Sequence, residues 1–256
     1  MFEGKKKVWI AGANGGLGLA LTEHILAQGH LVTVSTRRTS QALLQLQASH
    51  STQMTCVLGD LCQQRSNTQS QLMAIFEQYG LPDWTINAAG LLHAPQSKQS
   101  PKAKMPEKRL SQITESFLVD NIHANAYTNV AIAQLLDTLY KRKDPFHFLC
   151  LSAMVGSISD NDSGGWYSYR MSKAALNMFV KTLSIEWQRR FPQACIAAIH
   201  PGTTNTSLSA PFQHNINSDK LYSPQLSAER IYRVLSTLTP ADTGQFFHWD
   251  GTTLPW

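Results

Sequence analysis

Cysteine is scarce in this 256-residue sequence, which has four cysteines, no Cys-x-x-Cys pair and no zinc-ligand spacing. Disulfide-rich secreted domains and zinc modules depend on such pairs, so both classes are excluded, and we expect four reduced thiols in the cytoplasm. Histidine is more frequent, at nine residues, but it forms no His-Glu-x-x-His or comparable grouping. We therefore expect no metal site.

Long apolar runs and clustered charge are also missing. No apolar stretch approaches the roughly 20 residues that cross a bilayer, and the run after the lysines at 5–7 is interrupted too early by Gly12 to be a signal peptide. Charged residues make up 15% of the chain, with a net charge of +5. The basic residues are scattered, which favours a solvated surface over a nucleic-acid-binding face.

Short apolar runs instead alternate with segments of helical periodicity along the whole chain. This alternation indicates β-α-β units around a sheet covered on both faces. The length of the chain suits a single α/β domain. We predict a single Rossmann-type α/β domain, doubly wound, with a mostly parallel seven-stranded sheet. The predicted strands are 7–11, 31–36, 54–58, 83–87, 147–152, 194–200 and 245–249. We also predict long helices over 117–139 and 168–189 and a surface loop over 94–109.

A glycine-rich turn, AGANGGLG at residues 11–18, follows the first predicted strand and opens the first predicted helix. Glycine lets the backbone turn with positive φ and approach a pyrophosphate closely, and a helix N-terminus offers it free N–H groups. The Gly-x-x-x-Gly-x-Gly spacing in the first β-α unit favours a dinucleotide site over an ordinary strand-to-helix turn. The candidate binding residues are Gly12, Asn14, Gly16, Leu17 and Gly18.

The end of the second predicted strand indicates which dinucleotide binds. An acidic residue there would bind the adenosine ribose and repel a 2′-phosphate, and this chain has none nearby. It has Arg37 and Arg38 after two hydroxyl residues, and arginine binds phosphate through paired N–H groups. The sequence therefore predicts NADP(H) in preference to NAD(H), with a solvated basic loop as the alternative.

Tyr169 is the only one of seven tyrosines with a lysine four residues later, Lys173. On a helix this spacing puts both side chains on one face. A nearby ammonium favours the phenolate and lowers the pKa of the tyrosine, so that it can donate and accept a proton near working pH. The pair predicts an acid–base centre, although a single Tyr-x-x-x-Lys pair is common by chance.

These signals occur with further motifs in a fixed order along nearly the whole chain. The further motifs are Asp60-Leu61, Asn87-Ala88-Ala89-Gly90, Asp120-Asn121 and PGTTNT at 201–206. With this combination the chain resembles the short-chain dehydrogenase/reductase family, in the subgroup with the Gly-x-x-x-Gly-x-Gly turn. The segments PEKRL at 106–110, GGWYSYR at 164–170 and the ending at 250–256 are most similar to its C-factor-like and sniffer-like carbonyl reductases.

The resemblance implies a role for each matching residue. Tyr169 would be the general acid in carbonyl reduction, Lys173 would hold the nicotinamide ribose and lower the pKa of Tyr169, and Asn121 would hold a water in a proton relay. The cofactor would lie against Asp60 and Leu61 at the adenine, Asn87, Ala88, Ala89 and Gly90 at the adenosine–ribose side, and Pro201, Gly202 and Thr206 at the nicotinamide amide. The structural alternatives are a helix cap for Asp60 and a mid-helix surface position for Asn121.

The chain departs from the family after the fifth predicted strand. The family pattern there is Ser-Ser-x-x-Gly, whose second serine polarises the substrate carbonyl, and aligning Gly156 puts Ala153 in that position. Three explanations are open. Ser152 supplies the hydroxyl, which requires a local bulge because side chains alternate along a strand; Ser157 reaches in from the loop; or no serine acts. We favour Ser152.

Two loops are less patterned. Residues 93–109 are longer and more basic than the subgroup usually shows, with a tether as an alternative to a functional loop. By family analogy, residues 207–223 would be the substrate lid.

The resemblance predicts transfer of the pro-S hydride of NADPH to an aldehyde or ketone, or the reverse oxidation, in a homodimer or homotetramer. The alternative is a non-catalytic NADP-binding regulatory or signalling protein on the same fold. A sugar-nucleotide epimerase shares the Tyr-x-x-x-Lys pair but needs a larger C-terminal substrate region than follows Thr206. We expect no nucleic-acid or membrane partner.

Overall fold

The computed structural model describes residues 4–63, 65–96 and 103–256. In these ranges seven strands form one parallel sheet, and a separate pair of two-residue strands, β7 and β8, follows the sixth. The seven-stranded parallel sheet is confirmed, and three of its strands differ from the predicted bounds by one residue, β4 at one end and β5 and β9 at both ends. The strands are β1 (Lys7–Ala11), β2 (Leu31–Thr36), β3 (Met54–Leu58), β4 (Trp84–Asn87), β5 (Phe146–Leu151), β6 (Ala194–His200), β7 (Thr203–Thr204), β8 (Leu221–Tyr222) and β9 (Phe246–His248).

The helices lie between these strands, as the alternating pattern predicts. A π-helical segment, His123–Tyr127, divides the helix predicted over 117–139 into two parts. The helix predicted over 168–189 is one residue longer at each end. The α-helices are α1 (Gly16–Ala27), α2 (Gln41–Ser49), α3 (Arg65–Tyr79), α4 (Glu115–Ile122), α5 (Thr128–Leu139), α6 (Tyr167–Arg190) and α7 (Pro224–Thr237).

The sheet has the strand order β3-β2-β1-β4-β5-β6-β9. From β1 the chain proceeds outward to β3 and then returns to place β4 on the other side of β1, so that Ile10 pairs with both Val34 and Ile86. The strand order therefore reverses between β1 and β4, and doubly wound sheets bind ligands at such a reversal, outside the carboxyl ends of the strands.

Apolar side chains alternate across the sheet and form a core on each face. In β1, Val8 and Ile10 belong to the core under α1 and α7, whereas Trp9 belongs to the core under α3, α5 and α6. All three side chains are almost completely buried. Because both faces are covered, the loops at the strand ends are the parts of the sheet that remain open to a ligand.

The loop predicted over 94–109 lies only partly at the surface. Ala94 and Lys104 exchange two backbone hydrogen bonds of 2.9 Å, and Nζ of Lys104 is 2.6 Å from a carboxylate oxygen of Asp120. Glu107 is buried, with 3% of its surface exposed. The prediction of a surface loop is therefore wrong for Glu107, and the part of the loop at 97–102 lies outside the described residues.

Candidate active site

The glycine turn after β1 is closely packed against the loop after β4. A Cβ on Gly12, where φ is +79°, would be 2.5 Å from the amide nitrogen of Ala89, and a Cβ on Gly18 would be 2.4 Å from the carbonyl oxygen of Gly12. A Cβ on Gly16 would be 2.8 Å from the methyl group of Thr206. Gly15 at the N-cap of α1 has no side chain to bond the first amides of the helix. These open amides and the close backbone approach fit a dinucleotide pyrophosphate.

Asn14 lies in this turn, and its Oδ1 accepts a hydrogen bond of 2.7 Å from the amide of Ser40, before α2. The two arginines that follow β2 are exposed. The hydroxyls that precede them face inward, because Ser35 accepts a bond from Nε1 of Trp9 at 3.0 Å and Thr36 donates to the carbonyl of Arg38 at 2.8 Å. Of the four side chains at and just after the end of β2, the two guanidiniums are therefore the ones open to an anion.

The loop after β3 contains Asp60 and Leu61. A carboxylate oxygen of Asp60 accepts bonds from the amides of Cys62 at 2.7 Å and Gln63 at 3.0 Å, so the aspartate caps a turn that precedes α3. Leu61 is buried at 7% exposure. Both bonds use Oδ1, so the cap leaves an adenine-side role to the second carboxylate oxygen.

The loop after β4 runs from Asn87 to Gly90 and lies directly beside the glycine turn. The amide of Ala88 donates to the carbonyl of Ala11 at 2.8 Å, and Oδ1 of Asn87 accepts from the amide of Ala89 at 3.1 Å. Nδ2 of Asn87 is buried and has no hydrogen-bond partner within the described ranges. The sequence motif thus forms a shelf beside the glycine turn, with one unsatisfied polar group.

Tyr169 and Lys173 lie one turn apart in α6 and are both buried. Nζ of Lys173 donates to the carbonyl of Leu151 at 2.8 Å and lies 5.7 Å from the centre of the Tyr169 ring. Gly156 makes room for the lysine, because a Cβ there would be 2.8 Å from the Cβ of Lys173.

Burial dominates the acid–base properties of this pair. It raises the pKa of Tyr169, which is opposite to the direction that the nearby ammonium alone predicts. It also lowers the pKa of Lys173 to about 8. The lysine remains mostly protonated at pH 7, and the tyrosine is held as the neutral phenol, the form that donates a proton.

Asn121 is completely buried at the end of α4 rather than on the surface. Its Nδ2 donates to the carbonyl of Phe117 at 3.0 Å, and its Oδ1 accepts from Nδ2 of Asn125 at 3.3 Å. The side chain is thus engaged within the protein, and the π-helical segment begins two residues later.

The hydroxyl of Ser152, which follows β5, is bonded away from Tyr169. The amide of Ser152 continues the pairing with β6, and its hydroxyl donates to Oδ1 of Asn177 at 2.6 Å, two turns beyond Tyr169 along α6. Oγ of Ser157 accepts from the amide of Asp160 at 3.2 Å. The half-buried Ala153 occupies the position between them, so the bulge that we favoured for Ser152 does not occur.

Pro201, Gly202 and Thr206 follow β6 as expected. Gly202 has a φ of +77°, and a Cβ there would be 2.8 Å from the ring of Tyr222 and 3.0 Å from the ring of Trp249. The short β7–β8 ladder pairs Thr204 with Tyr222 and closes the chain from 205 to 220 into a loop. The segment 207–223 is therefore anchored at both ends.

An aromatic wall adjoins Tyr169, and the sequence analysis missed it. The ring of Trp166 is 6.3 Å from that of Tyr169 and 4.9 Å from that of Phe212, which is 5.9 Å from His93. A ring nitrogen of His93 bonds the carbonyl of Ser207 at 3.0 Å. The run Gly164-Gly165 before an aromatic residue was the available signal, because it indicates an unusual backbone there.

In the described ranges, no three His, Cys, Asp or Glu side chains group as metal ligands. Over the same ranges, no helix is long and apolar enough to span a membrane.

Residues 6–217 match the short chain dehydrogenase family, and the chain belongs to this family of nicotinamide-dependent oxidoreductases. Among curated relatives, the C-signal protein of Myxococcus xanthus is 35% identical over 107 residues, which is 41% of this chain and 58% of that protein. An uncharacterized oxidoreductase of Schizosaccharomyces pombe is 27% identical over 268 residues, with 98% of both chains covered. The chain spans about half the length of the first curated relatives that it matches.

Two solved structures are also similar. The carbonyl reductase Sniffer of D. melanogaster has a TM-score of 0.81 at 25% identity, covering 98% of this chain and 100% of that one. The NADPH-bound carbonyl reductase from chicken fatty liver has a TM-score of 0.82 at 23% identity, covering 98% and 99%. At 23% identity, the similarity to the chicken protein establishes a shared fold and no more.

Proposed function

We propose that this short-chain dehydrogenase reduces the carbonyl of a small aldehyde or ketone, or oxidises the corresponding alcohol, with NADP(H) and with Tyr169 as the general acid/base. The observation that carries the proposal is the buried pair of Tyr169 and Lys173 at the carboxyl edge of the sheet. Burial keeps the phenol neutral, and a neutral phenol can donate its proton to a carbonyl oxygen.

NADPH held by the glycine turn and by Lys173 would supply a hydride, so that carbonyl, NADPH and a proton would give alcohol and NADP⁺. The phenol of Tyr169 donates its proton to the oxygen of the substrate. Lys173, charged at neutral pH, stabilises the phenolate that remains and helps to bind the nicotinamide ribose. Trp166 and Phe212 exclude water from this centre, and residues 207–223 act as the lid.

The test measures oxidation of NADPH and of NADH by the purified protein with a panel of aldehydes, ketones and quinones. We expect turnover selective for NADPH that falls by about 10²-fold or more in Tyr169→Phe, the usual contribution of a positioned proton donor. Tyr79→Phe is the matched control, because Tyr79 is exposed at the end of α3. Equal activity of the two variants would exclude Tyr169 as the acid.

Arg37 and Arg38 support NADP(H) over NAD(H), since exposed guanidiniums and the absence of a nearby acid favour a 2′-phosphate. A shared carbonyl reductase fold with an NADPH-bound structure is consistent with this preference. The four free cysteines support a reducing compartment such as the cytoplasm.

The alternative function is that of a non-catalytic NADP-binding regulator. It is favoured by Ala153 in the position of the family serine and by the hydroxyl of Ser152, which is bonded to Asn177. Tight NADPH binding without turnover of any carbonyl would support it. Ala153→Ser would then separate the two functions, because an added oxyanion donor contributes up to about 10²-fold to an active site but nothing to a regulator.

An exposed apolar stripe supports the proposed homodimer or homotetramer. Met171, Met178 and Ile185 recur every two turns on the outer face of α6, at 48%, 65% and 49% exposure. Val119 of α4 is also exposed, at 54%. Light scattering should give a dimer or larger mass for the wild type and a monomer for Met178→Glu.

A further inference from the structure

Three asparagines, Asn121, Asn125 and Asn129, follow one another at one-turn intervals, with 0%, 0% and 1% of their surfaces exposed. Burying an amide costs free energy unless it forms hydrogen bonds. Asn121 and Asn129 donate to backbone carbonyls one turn earlier, at 3.0 and 2.9 Å. Asn125 differs from both, because its amide bonds groups outside its own helix.

One side of the Asn125 amide binds the chain that leaves the cofactor shelf. The amide of Leu91 donates to Oδ1 of Asn125 at 2.7 Å, and the carbonyl of Leu91 accepts from Nδ2 at 2.7 Å. Leu91 directly follows Gly90, where an added Cβ would lie 3.4 Å from the same Oδ1. A two-point contact of this kind fixes both the position and the orientation of the peptide.

The other side binds α6, the helix that carries Tyr169 and Lys173. Nδ2 of Asn125 donates to Oγ of Ser172 at 2.8 Å, and that hydroxyl donates to the carbonyl of Tyr169 at 2.7 Å. The contact from Nδ2 to Asn121 is longer, at 3.3 Å. Because an amide has two N–H groups, Leu91 and Ser172 are its principal acceptors.

The helix backbone departs from regular α-helical geometry at Asn125. Asn125 is the central residue of the π-helical segment His123–Tyr127. π-Helical turns insert one residue into an α-helix and occur frequently at functional sites. The extra residue therefore lies at the position from which one side chain reaches both the shelf and α6.

We infer that Asn125 is a positioning residue that couples cofactor binding on the shelf from Asn87 to Gly90 to the placement of Tyr169 and Lys173. A dinucleotide that orders the shelf fixes Leu91, and Asn125 transmits this order to Ser172. The kinetic part of the inference rests on the proposed reductase function, whereas the coupling itself does not.

Two variants separate the two sides of the contact. Asn125→Asp keeps the shape of the side chain, but its carboxylate has no donor for Leu91 or Ser172 at neutral pH. Ser172→Ala removes only the contact with α6. Ser184→Ala is the matched control, because Ser184 is also buried in α6 and bonds only within the helix in the described structure, to Lys181 at 2.7 Å.

We expect Asn125→Asp to raise the Kd of NADPH about tenfold, as for loss of one or two buried hydrogen bonds, and to lower kcat. The Kd of NADPH for Asn125→Asp, divided by the wild-type Kd, should decrease from pH 8 to pH 5. The introduced aspartate regains one hydrogen-bond donor when it is protonated. Ser172→Ala should leave this Kd within about twofold and lower kcat about tenfold. If Asn125→Asp does not fold, Ser172→Ala decides the question alone.

An unchanged Kd in folded Asn125→Asp, or equal kcat in Ser172→Ala and Ser184→Ala, overturns the inference. If the wild type turns over no carbonyl, the proposed function fails and amide hydrogen exchange decides instead. NADPH should then protect the first two turns of α6 in the wild type and in Ser184→Ala, but not in Ser172→Ala. Equal protection in all three proteins overturns the coupling.

Discussion

The half of the sheet from β1 to β4 and the half from β5 onward are built in different ways. The first half presents a glycine turn and short loops in which backbone packs against backbone, as where Gly12 meets Ala89. The second half presents side chains on irregular backbone, including a left-handed turn and a two-strand ladder. The proposed cofactor side thus depends on the spacing of residues along the chain, whereas the proposed substrate side depends on contacts between residues far apart in the sequence.

The left-handed turn before α6 illustrates the second half. Gly164, Gly165 and Trp166 have φ values of +60°, +66° and +51°, and Trp166 is the one non-glycine residue with positive φ in the described ranges. The carboxylate of Glu107 accepts hydrogen bonds from the amide and the hydroxyl of Ser168, the second residue of α6. The backbone carbonyl of Glu107 accepts a hydrogen bond from the amide of Trp166. Arg170 donates to both glycine carbonyls. Several partners thus hold one strained residue beside Tyr169.

The largest effect is expected from a substitution in the glycine turn, in the half of the sheet from β1 to β4. Gly18→Val should reduce kcat/KM for NADPH by about 10²-fold or more, because its Cβ would displace the carbonyl of Gly12 and an ångström of misplacement has that cost. Gly15→Ala is the control, since its Cβ would be 3.6 Å from that carbonyl. Steady-state kinetics and NADPH titration measure both, and similar losses would contradict the close-packing explanation.

Removing the two guanidiniums sharpens the same comparison. Arg37→Ala with Arg38→Ala should raise KM for NADPH by about 10- to 100-fold and leave KM for NADH nearly unchanged, because charged hydrogen bonds to phosphate are lost. Lys141→Ala with Lys143→Ala removes the same charge from an exposed site before β5 and should change neither value. Parallel changes with both cofactors would argue against a 2′-phosphate contact.

The pH dependence tests the second half through its buried lysine. The pKa of Lys173 is lowered to about 8, so the ammonium is present below this pH and lost above it. Reductive kcat/KM should therefore be level from pH 6 to 7.5 and then fall about tenfold per pH unit above pH 8. His200 is neutral across this range because burial lowers its pKa to about 4. A plateau to pH 10 would exclude a role for the charge.

The smallest effect isolates the strain at Trp166. Trp166→Gly and Trp166→Ala both remove the indole, but only glycine accepts positive φ freely, so the glycine variant should melt about 2–4 °C higher. At Met178, in a regular exposed part of α6, the order should reverse because glycine weakens a helix. The same order at both sites would show that the turn is relaxed.

The cofactor half could be predicted almost completely from the sequence. Strands β1, β2 and β3 have the predicted bounds, and the glycine turn meets the Asn87–Gly90 motif as expected. Apolar runs, glycine spacing and strand ends are local patterns, and the parallel sheet brings those ends to one edge.

The predictions for the second half were less accurate where distant residues decide the outcome. The favoured bulge at Ser152 does not occur because Asn177, 25 residues later, accepts its hydroxyl. Burial outweighs the ammonium in setting the pKa of Tyr169. Glu107 is drawn inward from a polar segment by the start of α6.

The fold class, the order of strands and helices, the glycine turn and the Tyr169–Lys173 pair follow from local patterns in the sequence. The direction of the Ser152 hydroxyl, the direction in which the pKa of Tyr169 moves, and the contact of Asn125 with both the shelf and α6 arise only when the chain is folded. Those outcomes depend on desolvation and on hydrogen bonds between residues 25 to 61 positions apart, such as Ser152 with Asn177 and Glu107 with Ser168. No local pattern specifies these hydrogen bonds, since the same polar side chains can all bond to water until packing excludes the water.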